Sequence, residues 1–325
     1  MIRILGVAIC CLALVGAGPP DLRPRMGFIP VTGGSVWYKI LGTGNGTPVL
    51  LIHGGPGGRS CRMEPMAELV GRDRPVILYD QLGGGRSECP ADPSLWTLGR
   101  FTREVEEVRQ ALGLKEVHLL GHSFGGTLAA DYLATFPRAG IRSVVFSSPG
   151  ISTPLWLEDA AVLRGRLPAE IQATILKHER AGTTEHPEYL EAAAVYEQRH
   201  VYRSVKPGSA PTCSGVPSGN GLIYRKLWGP SEFHCTGELL TFDRTPILPT
   251  LRMPVLYLSG RHDEVLPGTL EKLRDMTPGA EMAILESSGH LAYFEEKERY
   301  ADLVRGFLRR ADTRSVPPPR PGSPP

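Results

Sequence analysis

The sequence predicts an α/β fold with a mostly parallel central sheet, and three observations carry that prediction. Short apolar runs recur along the 325 residues, amphipathic stretches separate them, and the alternation resumes after one long interruption. Strands apolar over their whole length are strands covered on both faces, and strand–helix alternation implies parallel pairing through right-handed crossovers.

The strand segments, in order, are PVLLIHG at 48–54, PVILYD at 75–80, EVHLLGH at 116–122, SVVFSSP at 143–149, PVLYLSG at 254–260 and AEMAILE at 280–286. Each is short, rich in Val, Ile and Leu and without polar alternation, as a central strand requires. The clearest helix between them is FTREVEEVRQALG. It sets Phe101, Val105, Val108 and Leu112 on one stripe with charges opposite, and Gly113 stands where a helix C-terminus takes a left-handed residue. From 151 to 250 the pattern breaks: charged, His and Pro residues increase, pieces such as LEDAAVLRGRL and PEYLEAAAVYEQRH read as helix, and no buried strand appears. A helical insertion between two core strands explains this, and one at the strand C-terminal edge would overhang the crevice where open α/β sheets bind ligands. The expected layout is core at 19–150, cap at 151–250 and core again at 251–310.

The two ends differ from the middle. MIRILGVAICCLALVGAGPP places Arg3 before an apolar run and small residues at Gly16, Ala17 and Gly18, which reads as a signal peptide over 1–18 and predicts a secreted or periplasmic protein. The run is short of the ~20 apolar residues that span a bilayer, so no stable membrane insertion is expected after cleavage. An uncleaved N-terminal membrane anchor is the alternative. Residues 311–325, ending SVPPPRPGSPP, read as a disordered Pro-rich tail. Export would leave Cys61, Cys89, Cys213 and Cys235, an even number compatible with two disulfides. Pairing Cys61 with Cys89 and Cys213 with Cys235 is the most local of three connectivities, and four free thiols is the other reading.

Composition excludes some functions. Hydrophobic residues make up 41% and charged residues 22%, and 36 Lys+Arg against 34 Asp+Glu leave a net charge of +2 with no long basic run, so nucleic acid is not an expected partner. No C-x-x-C pair and no His pair at metal-ligand spacing occurs on an apparent helix, so neither a metal nor a cofactor is expected.

The chemistry is concentrated at HLLGHSFGGTLAADYL. Gly121-His122-Ser123-Phe124-Gly125 fits G-x-S-x-G between a predicted strand and a helix, the context that makes the pentapeptide a nucleophile elbow. A serine nucleophile needs a base, and the base an orienter, in the chain order Ser, acid, His, each after a strand. Asp263 in LYLSGRHDEVLP and His290 in AILESSGHLAYFE stand at those places. The neighbouring His122 and His262 are read as bystanders, and His53 as an anchor for the glycine loop after it. That loop, HGGPGG at 53–58, supplies backbone donors: the N–H of Gly55 with that of Phe124 would form an oxyanion hole. A phosphate-binding loop is excluded, since no G-K-[ST] follows.

Together HGGPG, YDQLGGGRS, GHSFGG, WGPSEF, SGRHDEVLP and SSGHLAYFEE resemble the proline iminopeptidase family of α/β-hydrolases, peptidases that remove an N-terminal residue; the likeness runs from about Gly34 to Arg310. The resemblance implies a Ser123, Asp263, His290 triad under a helical cap. It also implies that Glu232 and Glu264 hold the free α-ammonium of a small peptide or aminoacyl amide substrate. An enzyme that counts from the chain end must recognise the amine that marks it, and carboxylates in a closed cleft suit it. Phe124 stands where proline-selective members often carry Trp, so the first-residue preference stays open, as does the oligomeric state. A general esterase or amidase would use the same triad without needing the amine. A silent binding protein would not react with a fluorophosphonate, and an epoxide hydrolase or dehalogenase would carry Asp at the elbow.

Overall fold

The computed structural model describes residues 20–137, 139–204 and 211–314; the expected signal segment 1–18 and the chain from 315 onward lie outside them. The first elements are two strands, neither of them apolar over its whole length. β1 (Arg25–Val31) and β2 (Gly34–Leu41) pair antiparallel through a Thr32–Gly33 turn in which Gly33 adopts φ +95°. They lie at the sheet edge, where Met26 and Phe28 are exposed and burial is mixed, so no continuous apolar run marks them.

The core then alternates as expected: β3 (Val49–Ile52), α1 (Glu64–Val70), β4 (Val76–Tyr79), α2 (Leu98–Ala111), β5 (Val117–His122), α3 (Phe124–Thr135) and β6 (Ile141–Ser147). After an interruption it resumes with β7 (Val255–Gly260), α8 (Pro267–Met276), β8 (Glu281–Leu285), α9 (Ala292–Glu295) and α10 (Lys297–Thr313). The eight strands lie in the order β1-β2-β4-β3-β5-β6-β7-β8, parallel from β4 to β8. Every residue of β3, β4 and β5 is buried. Along β3, Leu50 and Ile52 join the apolar cluster under α2 and α3, and Val49 and Leu51 join the one under α1 and α10. That division is the two-residue period of a strand covered on both faces. The expected central strand at 280–286 is instead the edge strand β8, only half-buried, with Glu281 paired to Arg310 at 2.5 Å.

Thr97 caps α2, its Oγ1 accepting the Arg100 N–H at 3.4 Å, and the helix ends before Gly113, which takes φ +65°. Between β6 and β7 the described residues hold four α-helices and no sheet strand: α4 (Thr153–Arg164), α5 (Ala169–Ala181), α6 (Pro187–His200) and α7 (Gly221–Leu227). α4, α5 and α6 share a small apolar core of their own, with Ile175, Tyr189 and Tyr196 inside it.

Two expectations are corrected. The local cysteine pairing is not adopted: Cys61 bonds to Cys213, 152 positions away, while Cys89 is free and exposed and Cys235 free and buried. The insertion folds its 211–213 turn onto the segment before α1, a juxtaposition that spacing along the chain does not encode. The chain also stays helical past 310, to Thr313. Ala311 is fully buried, and the Asp312 carboxylate accepts from Arg74 Nη1 at 3.0 Å and lies 3.1 Å from His118 Nε2, so the last turn is anchored to the sheet.

Candidate active site

Ser123 occupies the single residue between β5 and α3, at φ +55° and ψ −121°. A non-glycine residue in that region is strained by of order 1–3 kcal/mol, and the packing around it sustains the strain. A Cβ on Gly125 would stand 2.0 Å from the Ile52 carbonyl oxygen, so the first turn of α3 reaches its place only because position 125 has no side chain. Ser123 keeps 9% exposure and opens into a cavity of about 400 Å³, shared with the 53–59 loop, Arg62, His122, His290 and, from the insertion, Tyr202, Tyr224 and Glu232.

His290 Nδ1 lies 2.8 Å from Asp263 Oδ1, both side chains being buried. Burial works to lower the His290 pKa, but the Asp263 charge and hydrogen bond outweigh it and the net direction is upward. Burial likewise works to raise Asp263, and the imidazole's charge and hydrogen bonds hold its carboxyl below the usual value. This is the pattern of a base whose imidazolium is stabilised by its orienting carboxylate. His122 braces the base: its Nε2 lies 2.9 Å from the His290 carbonyl oxygen, and its ring packs against His290 and Tyr293, with centroids 4.8 Å apart in each case. Burial lowers its pKa to about 3, so it is neutral and donates that hydrogen bond.

The glycine loop is laced to the strand beside it. His53 Nε2 accepts the Gln81 N–H at 3.0 Å, and Gln81 Nε2 donates to the His53 carbonyl at 2.9 Å, giving His53 the anchoring role expected of it. Asp80 accepts the Ser60 N–H at 2.7 Å on one oxygen and the Arg86 N–H at 2.8 Å on the other. The HGGPG and YDQLGGGRS motifs are therefore two halves of one assembly. At Gly84 a Cβ would lie 2.2 Å from the Gly58 carbonyl oxygen, so the loops touch through backbone. A Cβ on Gly54 would stand 2.9 Å from that of Ser123, which brings the loop against the elbow. Among the described residues, the N–H groups of Gly55 and Phe124 donate to no protein acceptor.

Beside the triad stands an acidic group. Glu264 is fully buried, its Oε2 3.7 Å from His290 Nδ1, and neither of its oxygens has a hydrogen-bond partner among the described residues. Burial drives its pKa well above the ordinary value, and the charges of Glu232, Asp263 and Glu197 add to the shift. Glu232 lines the cavity; burial raises it as well, against the lowering influence of His290 and Tyr224. Glu197, on α6, is raised to about 7 by burial and then by the Glu232 charge. A buried carboxyl without a partner is costly, and a cation placed beside these three would offset that cost.

Four contributors lay beyond sequence reading. Glu197 sits in a helix whose burial depends on the insertion's packing. Ser148, at φ +47°, directs its Oγ–H to the His290 carbonyl at 3.3 Å. Trp156 meets the His290 ring edge-on at 5.7 Å and donates from Nε1 to the Glu232 carbonyl at 2.9 Å. Tyr224 faces Glu232 from α7. On the outer helices of the insertion, His178, His186 and Glu188 have ligand-type atoms within 4.8 Å of one another. None lines the cavity, and Lys177 Nζ already holds Glu188 at 2.8 Å.

The chain is similar to known proteins over most of its length. A family model described as alpha/beta hydrolase fold matches residues 47–297. The chain is 45% identical over 285 residues to a proline iminopeptidase of Heyndrickxia coagulans, covering 87% of this chain and 98% of that one. Its fold superposes on the crystal structure of VinJ with a TM-score of 0.79 at 33% identity, over 90% of this chain and all of that one. For the proline iminopeptidase of Mycobacterium smegmatis the TM-score is 0.77 at 32% identity, over 89% and 99%.

Proposed function

The chain belongs to the proline iminopeptidase family of the α/β-hydrolase fold, and from that premise we propose that it is a serine aminopeptidase releasing an N-terminal residue, proline foremost, from short peptides. The observation that carries the reading is one cavity lined by Ser123, His290 and Glu232.

The substrate ammonium enters the acidic group, and the repelling carboxyls of Glu232 and Glu264 gain the cation they lack. This fixes the first peptide bond, and no later one, over Ser123. Ser123 Oγ attacks the scissile carbonyl carbon while His290 takes its proton, Asp263 holding the Nδ1–H and stabilising the imidazolium. Negative charge passes to the carbonyl oxygen, which accepts from the Gly55 and Phe124 N–H groups. One such donor is worth about 3 kcal/mol in other hydrolases. The intermediate collapses by breaking the C–N bond, His290 returns the proton to the departing amine, and the shortened peptide leaves. Water, deprotonated by His290, then attacks the acyl-enzyme and regenerates Ser123.

We also propose that residues 1–18 direct export, with an uncleaved membrane anchor as the other outcome; the Cys61–Cys213 bond favours an oxidising compartment. A panel of aminoacyl arylamides with varied first residues, each free or N-acetylated, tests the activity. Rapid release from free prolyl arylamide and slow release from its acetylated form are expected. Equal rates, or a short-chain butyrate ester as the better substrate, point to the esterase reading and refute this one.

A further inference from the structure

The cavity has a second charged pole, which the reaction described above does not use. Arg59 and Arg62, on the segment leading from the glycine loop into α1, both line it. Among the described residues neither has a carboxylate within 4.0 Å, and neither is paired to the acidic group of Glu197, Glu232 and Glu264. The surrounding carboxylates are engaged elsewhere: Glu64 pairs with Lys39 at 2.6 Å, and Asp80 is bonded to Ser60 and the Arg86 N–H. Arg59 commits one nitrogen to the backbone, Nη1 donating to the Val216 and Pro217 carbonyls at 2.7 and 2.9 Å, and so ties the insertion to the core. Among the described residues Arg62 donates to no backbone carbonyl; its guanidinium lies 5.5 Å from the centre of the Tyr202 ring, which also lines the cavity, and it acts on the Tyr202 hydroxyl. Burial and then the Arg62 charge lower the Arg59 pKa, so the two cations stand close enough to repel.

An acidic residue, Glu232, and a basic pair, Arg59 and Arg62, none in an ion pair among the described residues, line one cavity of about 400 Å³ and match a ligand with an ammonium at one end and a carboxylate at the other. That volume lies near the small end of ligand sites and suits two or three residues. We propose that Arg62, reinforced by the field of Arg59, binds the C-terminal carboxylate of di- and tripeptide substrates, so that the enzyme reads a short peptide from both ends. The inference rests on the aminopeptidase reading, since Arg62 lies on the leaving-group side only if the acidic group holds the amine.

The test compares a prolyl dipeptide with its C-terminal amide, which has the same scissile bond and no terminal charge. The wild-type enzyme is expected to cleave the free acid with kcat/KM about tenfold higher, mainly through KM. Added salt should narrow the difference. Arg62→Gln is expected to bring the ratio close to one, and Arg62→Lys to restore part of it; turnover of prolyl arylamide by each variant certifies a folded catalytic centre. A purely structural role for Arg62 would depress both peptides equally and leave the ratio where it was, which overturns the proposal. Equal wild-type kcat/KM for acid and amide overturns it too, while leaving the aminopeptidase intact. An enzyme that cleaves neither peptide nor prolyl arylamide overturns both readings.

Discussion

Replacing Glu264 by Gln separates a carboxyl kept for binding from one kept for folding. The side chain is fully buried, neither oxygen has a partner among the described residues, and burial with three neighbouring carboxylates raises its pKa well above the ordinary carboxyl value. Gln keeps the shape and removes the charge. A charge-assisted hydrogen bond contributes about 1.5–3 kcal/mol, so kcat/KM on a free prolyl arylamide should fall about 10- to 150-fold. Hydrolysis of an ester without an amine should be spared. Stability should move the other way, with a definite pH dependence. A carboxyl whose folded pKa is raised adds stability below its unfolded value and loses that contribution as pH climbs toward the folded value. The variant should therefore match wild type near pH 4.5 and exceed it increasingly above, as followed by urea melts across pH. An unchanged prolyl arylamide rate, or a loss of stability that grows with pH, would refute the reasoning.

Three further outcomes are expected. Ser123→Ala should abolish peptide and ester turnover and fluorophosphonate labelling while the urea midpoint holds or rises, because the strained position loses no buried partner; residual turnover near wild type would remove the nucleophile. Binding of a prolyl peptide to that variant near pH 6 should release protons, since Glu197, raised to about 7, ionises when the ammonium arrives, and Glu264, held well above its ordinary value by burial, is drawn the same way; calorimetry in two buffers of different ionisation enthalpy reads the number, and net proton uptake contradicts the acidic group's role. Cys213→Ser opens a loop of 152 positions, whose closure limits unfolded-chain entropy by about 5 kcal/mol at most, so a loss of roughly 2–5 kcal/mol is expected and an unmoved denaturation midpoint would show the bond to be unimportant.

What the sequence determined by itself was whatever depends on local pattern and order. Wholly apolar runs gave the central strands because burial on both faces leaves no room for alternation, and G-x-S-x-G between strand and helix gave Ser123 because only glycines permit that turn. The order Ser, Asp, His placed Asp263 and His290 after β7 and β8, and Asp263 Oδ1 meets His290 Nδ1 at 2.8 Å. The roles of Glu232 and Glu264 came from resemblance, since a carboxylate's neighbours are not written beside it.

Tertiary structure alone decided what depends on distant segments meeting. Edge strand β1 and its neighbour β2 lack a continuous apolar signature because they are only partly buried. Cys61 found Cys213 rather than Cys89 because the insertion folds back onto the core, and Asp312 extends the last helix because Arg74 and His118 lie beneath it. Glu197 and Arg62 carry no local sign of their surroundings: burial raises Glu197 only once the insertion packs around it, and Arg62 shares its cavity with Tyr202 and Tyr224, which lie far along the chain. Burial then turns a solvated charge into one that needs a partner, and burial is a property of the folded assembly, not of any short stretch of residues.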